Sequence, residues 1–253
     1  MVKVHEIKGY ILTIYLVEKE GELLLLDGCA RPDFNVVKAF IENDLGYQLS
    51  DLKLVISTHP HPDHFGALSL FKKAGIPIAG PPELNDWYTG FLGFLTYWVD
   101  ILLMYLVAIN KKRGFYNTLF PRSVELDLIL KDGDRIPGFE EWSVLKCPGH
   151  TNMDLTLYNS ELSLAYIADN VVGSENKLFR PYPLFKPHLY KESLQRYIDL
   201  DIQEIMIAHY GRFKLNKEKL KKLIETTPEK SRRHINTLPA IFLKLLRSLY
   251  NKR

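Results

Sequence analysis

At 253 residues, 46% hydrophobic and 25% charged, the chain has an ordinary globular composition, which excludes a disordered or low-complexity protein and leaves ample material for a core. A formal net charge of +3 is too small to point to nucleic acid, and none is expected as a partner. Two cysteines far apart, Cys29 and Cys147, fit neither a disulfide framework nor a paired-cysteine zinc site, so reduced thiols and a cytoplasmic location are expected; MVKVHEIKGY shows no secretory pattern.

Residues 10–17 and 22–26 are apolar runs split by a charged turn, the pattern of an antiparallel hairpin. Asp27 and Gly28 close it, Asp27 either as a turn former or as a carboxylate that orients a ligand histidine. Residues 32–43 place Phe34, Val37, Phe40 and Ile41 at helical spacing, and Gly46 ends the run. Residues 52–56 read as a buried strand, and they lead into STHPHPDHFG, where His59, His61, Asp63 and His64 fall within six positions. Pro60 and Pro62 lack an N–H and fix φ, so a stiff loop is predicted there. One exposed histidine is an ordinary loop residue, whereas four imidazole and carboxylate groups this close together form a metal-ligand pattern. A helix over residues 65–73, ended by Gly75, completes one α/β unit.

Residues 87–109 contain a single charged residue, Asp100, and are followed by Lys111, Lys112 and Arg113. Length and apolarity meet the usual screen for a membrane-spanning helix. A single span, however, would put the histidines before it and those after it on opposite sides of a bilayer. A mainly helical hydrophobic insertion over residues 85–123 is therefore expected, capping the site, forming a homodimer contact or touching a membrane surface peripherally.

Further strands are predicted at residues 126–130, 142–146, 154–158, 162–167 and 202–207, and helices at 190–200 and 217–226, the last capped by Asn216. Pro239 is expected to open another helix, with Ile241, Phe242, Leu245, Leu246 and Leu249 as its apolar stripe. No internal repeat is visible, and the chain is read as one domain, residues 1–253. Four of these strands finish at ligand-type residues: the cluster at 59–64, His150, Asp169 and His209. Ligands at successive strand ends converge at one sheet edge, a setting that His5, His188 and His234 lack.

HPHPDH fits the HxHxDH signature of the metallo-β-lactamase superfamily, and PGHT, the aspartate after the hairpin strand and the late histidine follow in its order. The opening hairpin ending in DG and the sequence YKESLQRYIDL are also similar, so the chain resembles that family over most of its length outside residues 85–123. AHYG, and NMD after His150, depart from the usual pattern at the rim rather than at the ligands. The resemblance implies an α/β fold, a four-layer αβ/βα sandwich. It also implies a binuclear centre, with one metal on His59, His61 and His150, a second on Asp63, His64 and His209, and Asp169 bridging them. Zinc suits these ligands, with iron or manganese as alternatives. Two such cations would supply a bridging hydroxide and clamp a developing oxyanion, with Asp63 orienting the nucleophile or carrying its proton.

The implied activity is glyoxalase II-like or lactonase-like hydrolysis of an ester, thioester or lactone in a small, lipophilic substrate. No complete glutathione-binding pattern is present, and Val172 stands where some lactonases carry tyrosine. Fold alone does not choose the substrate. The alternatives are a phosphodiesterase or phospholipid hydrolase using Lys177, Arg180 or Arg212 as anion contacts, a mononuclear iron persulfide dioxygenase, and a non-catalytic membrane-associated metal-binding protein.

Overall fold

Alternation along the strands divides their side chains between separate cores. In β2 (Thr13–Lys19), Ile14 and Leu16 join one buried cluster while Tyr15 and Val17 join another, and in β3 (Glu22–Leu25) Leu23 and Leu25 separate from Leu24 in the same way. Strands apolar on both faces lie between two layers, and here they form the middle of a sandwich. The computed structural model describes residues 2–232. Its first sheet runs β1 (Val2–Lys8), β2, β3, β4 (Leu52–Ile56), β5 (Ile78–Gly80) and β6 (Leu128–Ile129), antiparallel as far as β3 and parallel from β3 onward.

The second sheet has the order β14 (Gly211–Lys214), β13 (Glu204–Ile207), β10 (Leu164–Ala168), β9 (Leu155–Asn159), β8 (Phe139–Lys146) and β7 (Arg135–Ile136). In it β10 and β13 are parallel, and the other neighbours are antiparallel. Between the sheets Tyr15, Leu24 and Ile56 meet Trp142, Leu157 and Tyr166. Trp142 is fully enclosed, and truncating it to alanine would cost about 3–5 kcal/mol. The helices are α1 (Asp33–Ala39), the single turn α2 (Pro62–Phe65), α3 (Leu68–Lys73), α4 (Gly90–Asn110), α5 (Pro187–Asp199) and α6 (Lys217–Glu225). Residues of α1, α3 and α4 cover the outer face of the first sheet, while α5 and α6 cover the second, giving the expected αβ/βα layers. Asn216 caps α6 by accepting from the Lys219 N–H at 3.1 Å.

Several elements differ from the sequence reading. The edge strands β1, β7 and β14, the short β5, and a hairpin of β11 (Val172–Ser174) and β12 (Lys177–Phe179) were not predicted. VKVHEIK and GRFK mix charge into the strand, as exposed edges do, and so leave no apolar run to detect. The proline loop is partly helical: Pro62 opens α2 at the position where a missing N–H goes unneeded, and the next helix starts at Leu68 rather than at residue 65. Gly66 makes that break tight, since a Cβ there would lie 2.4 Å from the Pro62 carbonyl oxygen and 2.9 Å from the Arg31 nitrogen. The helix over residues 32–43 continues past α1 as a π-helical turn, Phe40–Asp44. In the insertion, α4 packs Tyr97, Ile101, Met104 and Ala108 into the core, and Trp87 stands in the turn ahead of it. His234 and the helix expected after Pro239 lie outside the described residues.

Candidate metal centre

The seven ligand-type residues singled out in the sequence meet at one end of the sandwich. They come from both sheets rather than from one edge: His59 and His61 follow β4, Asp63 and His64 sit on α2, His150 lies between β8 and β9, Asp169 directly follows β10, and His209 comes just after β13. The ligand atoms of His59, His61 and His150 lie within 4.8 Å of one another, and so do those of Asp63, His64, Asp169 and His209. Asp169 Oδ2 stands where the two groups meet, 3.4 Å from His209 Nε2, 3.5 Å from His64 Nε2 and 3.8 Å from His150 Nε2. Asp63 Oδ2 is 3.2 Å from His209 Nε2 and 3.7 Å from His64 Nε2.

The surrounding protein determines which nitrogen each ring offers. Asp27 Oδ2 takes His64 Nδ1 at 2.5 Å, the Thr58 hydroxyl at 2.8 Å and the Tyr166 hydroxyl at 2.8 Å, while Oδ1 accepts the Gly28 and Thr58 N–H groups, each at 3.0 Å. Because Thr58 donates to Asp27, it accepts from His59 Nδ1 at 3.0 Å. His150 Nδ1 donates to the Pro183 carbonyl at 2.8 Å and His209 Nδ1 to the Ile11 carbonyl at 3.1 Å. Four rings therefore carry a proton on Nδ1 and turn Nε2 inward, so that each, when neutral, offers its Nε2 lone pair, the tautomer a metal ligand requires. His61 presents Nδ1 instead, 2.9 Å from His150 Nε2.

Asp27 is thus the orienting carboxylate, and the choice left open by the sequence falls on that side. The sequence reading missed Thr58 and Tyr166, which complete the relay, and Ser57, whose hydroxyl lies 3.0 Å from both the His59 and His64 carbonyl oxygens. Hydroxyl residues beside a histidine cluster were the available signal for Ser57 and Thr58; Tyr166 looks like any strand residue. Asp154, expected as a strand start, braces the His150 loop by accepting from the Gly149 N–H at 3.0 Å and the Thr151 N–H at 2.8 Å.

The charges are mutually dependent. Burial alone would raise Asp63, yet neighbouring His64 and His209 lower it to about 2, and His209 with His64 holds Asp169 well below the carboxylate range against the same effect. Burial opposes protonation of His64 and His209, but Asp27, Asp63 and Asp169 hold His64 well above the usual imidazole value, and Asp169 and Asp63 raise His209 to about 10. His59 is driven well below its usual value by burial and then by His64 and His150, which keeps it neutral.

These residues fit a divalent cation. His59 Nε2 and Asp169 Oδ1 are buried with no hydrogen-bond partner among the described residues, and two imidazole nitrogens face each other at 2.9 Å in a site that also holds two carboxylates. Such a donor set suits zinc, iron or manganese. Cys147 stays outside the cluster as a buried free thiol, pushed up to about 11 by burial. His5 pairs with Glu18 at 2.6 Å, and His188 is exposed on α5. The cations considered for an anionic substrate are engaged elsewhere: Arg180 donates to Thr226, Arg212 pairs with Glu204, and Lys177 lies over the Phe179 ring.

A cleft of about 110 Å³ opens over the cluster, with Leu103, Met104 and Val107 of α4 as one wall and Ile11, Tyr182 and Pro183 among the others. The far end of α4 is tied to the same loop that holds His209, since Lys111 Nζ also donates to the Ile11 carbonyl, at 2.5 Å, and Arg113 to the Gly9 carbonyl at 3.3 Å.

The profile of the family described as the Metallo-beta-lactamase superfamily matches residues 9–209. A curated relative, the probable metallo-hydrolase YqjP of Bacillus subtilis (strain 168), is 28% identical over 219 residues, 78% of this chain; the match spans 66% of the relative, just under two thirds of its length. Among solved structures, a metallo-beta-lactamase family protein of Thermus thermophilus, TTHA1429, superimposes with a TM-score of 0.67 at 19% identity, covering 88% of this chain and 78% of that one. An archaeal superfamily protein from Sulfolobus tokodaii gives 0.61 at 17% identity with 88% and 84% coverage. FIM-1 of Pseudomonas aeruginosa, solved in a mono-zinc form, gives 0.59 at 17% identity with 85% and 83% coverage. With a family match over most of its length and the fold of these neighbours, the chain belongs to the metallo-β-lactamase superfamily.

Proposed function

We propose that the chain is a hydrolase of neutral acyl bonds, namely esters, thioesters or lactones with a lipophilic group, working with two divalent metal ions. The observation that carries this reading is the junction of two ligand sets at Asp169 on the floor of a cleft whose α4 wall is Leu103, Met104 and Val107. His59, His61 and His150 would hold one ion, and Asp63, His64 and His209 the other, with Asp169 shared. When bound, such a pair polarises a carbonyl and supplies an ionised water at neutral pH.

The protein's own groups do the rest. Asp27, through His64 and Thr58, keeps the histidine lone pairs facing the cleft. Asp63, ionised under the influence of His64 and His209, provides a negative charge on the cleft floor that can orient an attacking water. Leu103, Met104, Val107 and Ile11 exclude water from one side of the reacting group and offer apolar contact to an acyl chain. No Lys or Arg lines the cleft among the described residues, which favours a neutral acyl group over a phosphodiester. YqjP, named as a probable metallo-hydrolase, and FIM-1, described with zinc, support the reaction class and the metal.

The test is a substrate panel on protein reconstituted with zinc, manganese or iron: p-nitrophenyl esters of rising chain length, acyl thioesters, lactones and a bis-aryl phosphodiester. Acyl substrates should be hydrolysed, the longer chains at higher kcat/KM. Preference for the phosphodiester, or persulfide oxidation by protein carrying one iron, would reject the proposal.

A further inference from the structure

One face of α4 has no partner among the described residues. At about 3.6 residues per turn, Phe91, Leu95, Trp98, Leu102 and Ile109 fall on a single line along the helix, away from the core-facing Tyr97, Ile101, Met104 and Ala108. They are open to solvent, Phe91 at 74% and Ile109 at 64%. Phe115, 82% exposed, extends the patch by stacking on Tyr105 with ring centres 4.4 Å apart. Contiguous exposed apolar surface of this kind marks a contact with something else. The helix is long and apolar enough to cross a membrane, but its other face belongs to the hydrophobic core, so in this fold it lies across the domain surface.

The charge around the patch selects the partner. Between residues 90 and 123 the only acidic residue is Asp100, which is buried and accepts from the Tyr88 hydroxyl at 2.9 Å. Lys111, Lys112, Arg113 and Arg122 are the charged rim, with Arg122 5.6 Å from the centre of the Phe94 ring. Where the stripe ends, Lys112 and Arg113 join Lys8, Arg31 and Tyr116 around a second cleft of about 710 Å³. Two copies meeting through this stripe would bring like charges together, whereas an anionic lipid surface would pair with them. An apolar face with interfacial Trp and Tyr and a Lys/Arg rim is the chemistry of an in-plane membrane contact. Leu103 and Val107, which line the candidate catalytic cleft, stand about 120° and 160° round the helix from the stripe, so the docking face and the cleft wall are different sides of α4.

We infer that the exposed face of α4 docks on an anionic lipid surface. The docking stands on the surface alone and does not depend on the hydrolase reading.

The metal-loaded full chain is floated with vesicles of phosphatidylcholine alone or mixed with phosphatidylglycerol. Binding should require phosphatidylglycerol, weaken with salt, and fall about tenfold or more in Trp98→Glu/Leu102→Glu, with metal content and circular dichroism unchanged as evidence of folding. With both native cysteines buried, a polarity-sensitive dye on Leu102→Cys should shift to the blue on the vesicles, and the same dye on Ser50→Cys, at the far end of β4, should not. Three results would overturn the docking: no binding to anionic vesicles, undiminished binding by the double variant, or a dimer that the double variant dissociates while vesicle binding stays absent. Vesicle binding without acyl hydrolysis would refute the hydrolase reading and leave the docking standing.

Discussion

Asp27→Asn is the sharpest test of how the site is built. Asp27 is 3% exposed, and its Oδ2 gathers three donors, the Thr58 and Tyr166 hydroxyls and His64 Nδ1. An amide nitrogen in that place is itself a donor. The two hydroxyls can turn and accept from it, but His64 can do so only by moving its proton from Nδ1 to Nε2, the atom that faces Asp63 and Asp169. The flipped amide fares no better, because its NH2 would then confront the Gly28 and Thr58 N–H groups, which cannot turn. Loss of one orienting partner of this kind weakens metal binding about 10–100-fold, and breaking the buried His64–Asp27 pair costs the fold about 3 kcal/mol. Competition of zinc against a chromophoric chelator, with chemical denaturation of the metal-free protein, reads both quantities. Two metal ions bound at wild-type affinity in Asp27→Asn would show that His64 needs no tautomer control and would refute the relay.

Asp169→Ala should retain the fold, lower metal stoichiometry and reduce turnover by about a hundredfold or more, as read by metal analysis and kcat; undiminished turnover rejects a shared carboxylate. Gly149→Ala places a Cβ 2.6 Å from Tyr190 Cβ and 2.7 Å from its Cα, so the His150 loop must move away from α5; a loss of about 1–3 kcal/mol in thermal melts, with weaker metal binding, is expected. In the metal-free protein His64 and His209 are held protonated, so metal uptake at pH 7 should release protons, and calorimetry in buffers of different ionisation heat should give different apparent enthalpies. The same pairings predict where metal-free stability lies. The His209 contribution is complete below about pH 6.5 and is lost as pH rises through about 10. The Asp63 contribution is complete above about pH 4 and is lost as pH falls through about 2, and the buried neutral His59 costs stability as pH falls below about 6.5, so denaturation midpoints should fall toward both acid and alkaline pH.

The metal cluster was legible because its chemistry is local and dense: HPHPDH puts four donors within six residues, and the remaining three each follow an apolar run read as a buried strand. The layer arrangement came from the family resemblance, and strands apolar on both faces, such as β3, β9 and β10, agree with it. Polar edges were hidden for the opposite reason, since β1 and β14 pair on one side only and carry lysine, glutamate and arginine outward. The two prolines of the loop were read as breakers, although Pro62 sits where a helix tolerates proline best. Asp27 was ambiguous because its partners Tyr166 and His64 are distant in sequence, and no local pattern announces a contact over 139 residues. The walls of the cleft have the same character: Ile11, Tyr182 and Pro183 are ordinary loop residues until the fold brings them to the cluster.

The central claim is that two metal ions, joined at Asp169, make this chain an acyl hydrolase. It is tested most directly by titrating metal-free protein with zinc while metal content and hydrolysis of a long-chain acyl thioester are followed together. The account predicts that binding ends at two ions per chain and that activity rises mainly with the second. Full activity with a single ion per chain, or two bound ions with no hydrolysis of any acyl substrate, would contradict it.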